Sequence, residues 1–244
     1  MNFTLLRVLV ILFAFLFTAC KSDAPSKKQP QKNPSTPAPI EVKKEEATPT
    51  PPPVKEEEAP SLDTINYANA IDFLIAYGEK NKETKVKIET KYGTIMLKLY
   101  EDVPLHRASF IFLTKMGYFD TTCFYRVAPD FVAQAGNSEL KKTSEMRNRF
   151  QNYTIPPEFR SNRKHKYGAI GAARQYEENI SKKSSPFEFY IVTKKRGANY
   201  LDNDHTVFGE VTSGMSVAEK ISRLKSGSDE WPYEDVFLKA TVVE

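Results

Sequence analysis

The chain has 244 residues, 40% of them hydrophobic, and a formal net charge of +4, which is ample for one domain with a real core. So small a net charge argues against a nucleic-acid partner, which requires a concentrated basic face. His106, His165 and His205 are scattered without metal-ligand spacing, so neither a metal nor another cofactor is expected. From the N-terminus, Arg7 precedes the apolar run Val8 to Phe17, which ends in Thr18-Ala19-Cys20. A membrane-spanning helix needs ~20 apolar residues, so this shorter run fits the hydrophobic region of a signal peptide, and residues 1–20 are set apart from the fold.

Small residues before a cysteine resemble a bacterial lipobox, with Phe17 where an aliphatic residue is usual. That resemblance implies lipidation of Cys20 and a membrane-anchored protein of the bacterial cell envelope facing the periplasm. An ordinary secretory signal or an uncleaved anchor stays open as an alternative. Residues 21–60 hold ten of the 16 prolines, with seven lysines balanced by seven acids and no glycine or aromatic residue. Such a segment buries too little apolar surface to offset its ordering entropy. It is expected to be a disordered tether with a reach of at most about 120 Å.

Residues 61–80 predict a short helix, with Asp63 as cap, Gly78 as terminator and an apolar face of Tyr67, Ile71, Leu74 and Gly78, broadened by Phe73 and Ile75. The main domain is expected over residues 84–244. Val86, Ile88 and Thr90 alternate before Lys91-Tyr92-Gly93, and Ile95, Leu97 and Leu99 alternate after it, which predicts a hairpin. Pro104 to Gly117 predicts a helix burying Phe110, Ile111 and Leu113. Phe124 to Asn137 reads as strand, turn and strand, with Val132 and Gln134 on one face. It makes an apolar surface carrying one arginine, Arg126, and one amide, Gln134, suited to a neutral ligand needing a few hydrogen bonds. The plainer alternative is a half-buried hairpin whose arginine pairs with a carboxylate.

Arg126, Phe131, Gln134 and Gly136 stand at the positions of the cyclophilin signature Phe-His-Arg-x-x-x-x-Phe-Met-x-Gln-x-Gly, with Tyr125 and Val132 replacing the usual His and Met. The chain thus resembles the cyclophilins, β-barrel peptidyl-prolyl isomerases, here in a bacterial lipoprotein form. The opening hairpin, Asp102-Val103-Pro104 and Gly117-Tyr118 are similar to that family too, as is Ile155-Pro156-Pro157-Glu158. Gly168 to Arg174 resembles the strand that presents main-chain groups to the residue before the substrate proline, with Ala173 in pattern and Arg174 where asparagine is common. Ser184 to Val192 resembles the family strand whose phenylalanine floors the proline pocket. Tyr190 takes that position, and Glu188 replaces a glutamine beside the arginine. Tyr200 to Val211 resembles the second family motif, with Tyr200 in place of Trp and with Leu201 and His205 lining the pocket.

Two other readings fail on the residues. Asp202-Asn203-Asp204 is not a calcium loop, because Val207 and Ser213 stand where glycine and glutamate belong. Gly168 to Arg174 is not a phosphate loop, because no Gly-Lys-Ser/Thr follows. Ser138 to Tyr153 reads as a polar surface excursion, Arg160 to Lys166 as a solvated basic loop, and Cys123 as a buried small hydrophobe. Val217, Ala218, Ile221 and Leu224 mark a second helix, and Val236 to Val242 alternate as a closing strand.

The resemblance implies a closed eight-stranded antiparallel barrel capped by two helices, with an additional N-terminal helix. It implies a monomer that turns Xaa-Pro bonds in exported polypeptides, with Arg126 and Gln134 catalytic. Phe131, Val132, Ala173, Arg174, Glu188, Tyr190, Tyr200, Leu201 and His205 would bind substrate. The competing reading is a tethered, non-catalytic proline-binding or chaperone module.

Overall fold

A computed structural model describes residues 65–243. The leader with Cys20, the 21–60 tether and Asp63 lie outside that range. The first hairpin forms where alternation predicts it: β1 (Lys85–Thr90) pairs with β2 (Gly93–Leu99) from Lys85↔Lys98 to Thr90↔Gly93. Val86, Ile88, Ile95, Leu97 and Leu99 are buried on its inner face, as the two-residue period of a half-buried strand requires.

Helix α2 (Pro104–Lys115) starts at a proline, whose missing N–H costs nothing at the first helical position. Phe110, Ile111, Phe112 and Leu113 are all buried, so the helix lies inside the fold. Phe110 packs 4.6 Å from Phe119 and edge-on to Phe189 at 5.2 Å, measured between ring centroids.

The remaining strands are β3 (Cys123–Ala128), β4 (Val132–Asn137), β5 (Ala169–Ala172), β6 (Phe189–Val192), β7 (Val207–Ser213) and β8 (Leu238–Val243). They form one antiparallel eight-stranded sheet in the order β3-β4-β6-β5-β7-β2-β1-β8. The expected closed barrel is corrected to an open, curled sheet whose two end strands are β3 and β8. Cys123 of β3 forms one isolated bridge with Phe237, the residue before β8. Along the rest of β3 the segment before β8 intervenes: Val236 O accepts from Phe124 N at 2.9 Å and Glu230 O from Val127 N at 2.9 Å. A loop thus covers the edge that a ladder would have closed.

Helix α1 (Ala70–Lys80) is shorter than the 61–80 span and runs past Gly78. Asn66 Oδ1 accepts from the amides of Ala68 and Asn69, and this local turn holds the preceding backbone out of the helix. Ala70, Leu74, Tyr77 and Gly78 face the core, whereas Tyr67, Ile71 and Ile75 are exposed. Gly78 allows close approach to α2, where an added Cβ would lie 3.0 Å from Ala108 Cβ.

The 138–153 excursion contains a helix, α3 (Lys141–Arg149), buried in its own span only at Thr143. Phe150 and Tyr153 anchor its far end in the core. Helix α4 (Met215–Ser222) buries Ala218 and Ile221. The main core lies within the curl of the sheet. A second, smaller cluster of Ala128, Val132, Ala169, Ala173, Tyr190, Val192, Ala198 and Val207 forms apart from it, with Phe131 and Leu201 packed against it.

Candidate active site

Strand register assembles the site. Arg126 on β3 pairs with Gln134 on β4, Gln134 with Tyr190 on β6, and Tyr190 with Gly171 on β5. Four adjacent strands therefore set these residues in one row across the sheet, and paired positions share a face. A cleft of about 300 Å³ opens over this row, lined also by Phe131, Val132, Ala173, Arg174, Tyr176, Leu201 and His205.

Arg126 is held at two points. Its Nε donates to Glu230 Oε2 at 2.6 Å and its Nη1 to Gln134 Oε1 at 3.2 Å. Nη2 has no partner among the described residues. Gln134 Nε2 in turn donates to the Tyr125 hydroxyl, which fixes the orientation of the amide. The Tyr125 phenol is pushed up out of its ordinary range, by burial first and then by the charge of Glu188, so it stays neutral and can accept.

Phe131 closes one wall. Asp130, at φ +53°, makes the turn into it, and the Arg126 guanidinium carbon lies 5.8 Å from the Phe131 ring centre. Tyr200 does not line the cleft. It is 65% exposed and stacks on the outer side of Phe131 at 6.0 Å, forming a rim.

The floor is Tyr190. Its ring covers Gly171, and its hydroxyl donates to His165 Nε2 at 2.8 Å. His165 Nδ1–H donates to Asp202 Oδ1 at 2.8 Å, and the His165 amide donates to the same oxygen at 3.0 Å. His165 is fully buried, so the solvated-loop reading of this histidine is corrected. Burial holds its imidazole below the ordinary range against the opposing pull of Asp202. A neutral ring with its proton on Nδ1 leaves Nε2 free to accept from Tyr190.

His205 has the same logic. Its Nδ1–H donates to Ala172 O at 3.1 Å, and Nε2 accepts from the Tyr176 hydroxyl at 2.8 Å. Burial again keeps it below the ordinary imidazole range. Tyr176 is a wall residue that no motif identified; it follows Arg174 by two positions in an otherwise polar loop.

Two expected roles change in detail. The Glu188 carboxylate does not reach Arg126; it pairs with Arg147 of α3 at 2.8 Å. Gly136 is the local cause: at φ +101°, with a Cβ there overlapping Phe187 O, it lets the Phe187-Glu188 backbone close onto β4. This places Glu188 beside α3, and Glu230 is the carboxylate at Arg126. Ala173 gives the cleft its methyl group, since its amide donates to Glu188 O and its carbonyl accepts from Ser185 N. Arg174 is the residue whose main-chain groups have no partner among the described residues. Its guanidinium is bound to both carboxylate oxygens of Asp204, at 2.8 and 2.9 Å, and lies 4.3 Å over Tyr176.

Cys123 is buried, its Sγ donates to Asn137 O, and burial pushes its thiol up to about 12. It is inert packing, as a small buried hydrophobe should be.

Comparison with known proteins agrees with this geometry. The family model described as cyclophilin type peptidyl-prolyl cis-trans isomerase/CLD matches residues 85–243. The chain belongs to the cyclophilin family. Peptidyl-prolyl cis-trans isomerase-like 1 of Gibberella zeae is 30% identical over 166 residues, covering 66% of this chain and 96% of its own length. A putative peptidyl-prolyl cis-trans isomerase of Staphylococcus epidermidis is 27% identical over 192 residues, covering 68% and 94%. A solved cyclophilin-type isomerase of Cryptosporidium parvum superposes with a TM-score of 0.56 at 18% identity, over 66% of this chain and 98% of that one. The same Cryptosporidium protein in the presence of the dipeptide Ala-Pro gives 0.54. This cyclophilin is therefore a peptidyl-prolyl cis-trans isomerase by family, and its cleft is the candidate for that chemistry.

Proposed function

We propose that the cleft isomerises Xaa-Pro bonds of exported polypeptides at the bacterial cell envelope, with the chain held to the membrane through a lipidated Cys20. The chemistry starts from the amide, whose C–N partial double bond sets a rotation barrier of ~18–20 kcal/mol. Twisting that bond breaks conjugation and localises the lone pair on the prolyl nitrogen. A donor aimed at that nitrogen lowers the barrier, tenfold in rate for each ~1.36 kcal/mol. Arg126 is that donor, because guanidinium is always protonated and its Nη2 N–H groups are uncommitted among the described residues. Gln134 holds Arg126 in register. Phe131, Val132, Tyr190, Leu201 and His205 grip the proline ring, while Arg174 offers main-chain groups to the residue before it. No nucleophile or general base is needed for a rotation.

The observation that carries this reading is the row Arg126–Gln134–Tyr190 beneath one apolar cleft. The Ala-Pro dipeptide present with the Cryptosporidium relative supports a small proline-containing ligand. The test is isomerisation of a short Xaa-Pro peptide by the full chain and by Arg126→Ala. The variant should lose about 10²- to 10³-fold in kcat/KM, the usual loss when one transition-state donor is removed. Activity surviving that change would sink the mechanism; peptide binding without turnover in the parent chain would favour the binding-module reading. For the anchor, the protein extracted from membranes should begin at Cys20 and carry the added mass of acyl chains there. An N-terminus at Cys20 without acyl mass, or a chain that keeps its leader, would rule lipidation out.

A further inference from the structure

The loop from Ser226 to Pro232 lies outside every motif of the family resemblance, yet it contacts Arg126 directly and reaches Gln134 through Tyr125. The loop is tightly made. Ser226 and Pro232 form a bridge, Gly227 N donates to Trp231 O at 3.0 Å, and Glu230 N donates to Gly227 O at 3.1 Å. It is fastened to the catalytic strand where Val127 N, next to Arg126, donates to Glu230 O at 2.9 Å. Glu230 itself sits at φ +63°, a conformation that disfavours side chains larger than glycine.

Two contacts leave the loop toward the site. The Glu230 carboxylate accepts a hydrogen bond from Arg126 Nε–H at 2.6 Å. The Trp231 ring packs 5.6 Å from Tyr125, whose hydroxyl accepts from Gln134. One loop therefore braces both members of the Arg126–Gln134 pair.

We propose that Glu230 is a positioning residue for Arg126, fixing Nε so that the guanidinium plane presents Nη2 to the prolyl nitrogen, with Trp231 bracing Gln134 through Tyr125. This rests on Arg126 being the donor proposed above. A carboxylate here could act in either of two ways: by orienting the guanidinium or by offsetting its positive field. The exposures decide between them. The two side chains are 34% and 42% exposed, so water screens the field while the short Nε–O bond still fixes the angle. A long arginine freed at Nε loses that angle, and small misplacements of a catalytic group are costly.

The experiment uses the full chain, a short Xaa-Pro peptide and three variants beside Arg126→Ala. Glu230→Gly removes the side chain but suits the left-handed backbone. Glu230→Gln keeps the length and loses the charge. Glu234→Gln is the control, since Glu234 binds Lys91 and Tyr92 away from the cleft. Glu230→Gly should lower kcat about tenfold with KM changed less than twofold, as expected for loss of an orienting bond, and Glu230→Gln, whose amide oxygen still accepts from Nε, should lose less. The Arg126 Nε–H resonance should shift and exchange faster with water, while Glu230→Gly melts no lower than the parent. An unchanged kcat in Glu230→Gly, or a raised one in Glu230→Gln, overturns the proposal. If Arg126→Ala is inactive while the Glu230 variants keep full activity, only this inference falls. If Arg126→Ala stays active, the donor assignment and this inference fall together.

Discussion

Gly171 lies beneath the Tyr190 ring, and a methyl group at that position would overlap Cζ, the hydroxyl and Cε2 of the tyrosine. The ring has little room to yield, because its hydroxyl is tied to His165 and His165 to Asp202. Gly171→Ala should therefore push the floor of the cleft upward. The expected stability cost is about 1–3 kcal/mol, the usual range for overpacking, with a rise in KM for a proline peptide. Peptide kinetics and a thermal melt check both, and an unchanged KM would show that the floor does not touch the ligand. At this scale the sequence was only partly readable. Arg126, Phe131, Gln134 and His205 carried recognisable motif positions and do meet in one cleft. Tyr176, Glu230 and the buried His165 did not, because each joins the site through a long-range contact that leaves no periodicity or spacing behind.

Helix α2 begins without a side-chain cap of its own, and its first amides are satisfied from 52 to 53 residues away in sequence. Glu158 Oε1 accepts from Leu105 N at 3.2 Å, and Oε2 accepts from His106 N at 2.9 Å and His106 Nδ1 at 2.6 Å. A carboxylate at a helix N-terminus meets both the orphan donors and the positive end of the dipole. Burial works to raise the Glu158 carboxyl, but the His106 side chain and these amides hold it below the ordinary range. Glu158→Gln should cost about 2–4 kcal/mol, since removing one partner strands a buried donor. Equilibrium denaturation checks it; a loss under ~0.5 kcal/mol would show that water caps the helix equally well. The Ile-Pro-Pro-Glu segment thus stands out in the sequence for a reason of helix capping. Elements with clean alternation, such as β1 and β2, were legible from their own residues. Helix α3 was not, because its span buries little and its anchors, Phe150 and Tyr153, lie beyond its end. Barrel closure was not legible either, since it depended on where the loop before β8 would run.

The domain as a whole carries two histidines whose burial sets its response to acid. His165 sits behind the cleft floor and His205 in the cleft wall, with imidazoles held below their ordinary value, by burial first, with Asp202 and Ala172 O respectively pulling the other way. Each binds a proton more weakly folded than unfolded. Their contribution to stability is therefore full above about pH 6.5, the unfolded imidazole value, and is lost as pH falls through the folded values. The carboxylates respond later. Asp202 is raised by burial but held low by the His165 ring and amide, so its contribution, like that of Glu158, fades only as pH falls below about 4. Acid should act in two stages, an imidazole stage and then a carboxylate stage. In the first, unfolding takes up at most two protons at these sites, an upper slope of about 2.7 kcal/mol per pH unit. Protonation at Nε2 would also reverse the Tyr190–His165 and Tyr176–His205 bonds, each hydroxyl then accepting, and would put charge at the floor and wall of the cleft, so activity should decline in the same window. Melting curves from pH 8 to 3, with His165→Asn and His205→Asn beside the parent, test the argument. Each substitution should flatten the slope between pH 6.5 and 4 while leaving the lower stage in place. A parent melting temperature flat from pH 7 to 4.5 would mean that the two imidazoles titrate alike in the folded and unfolded chain.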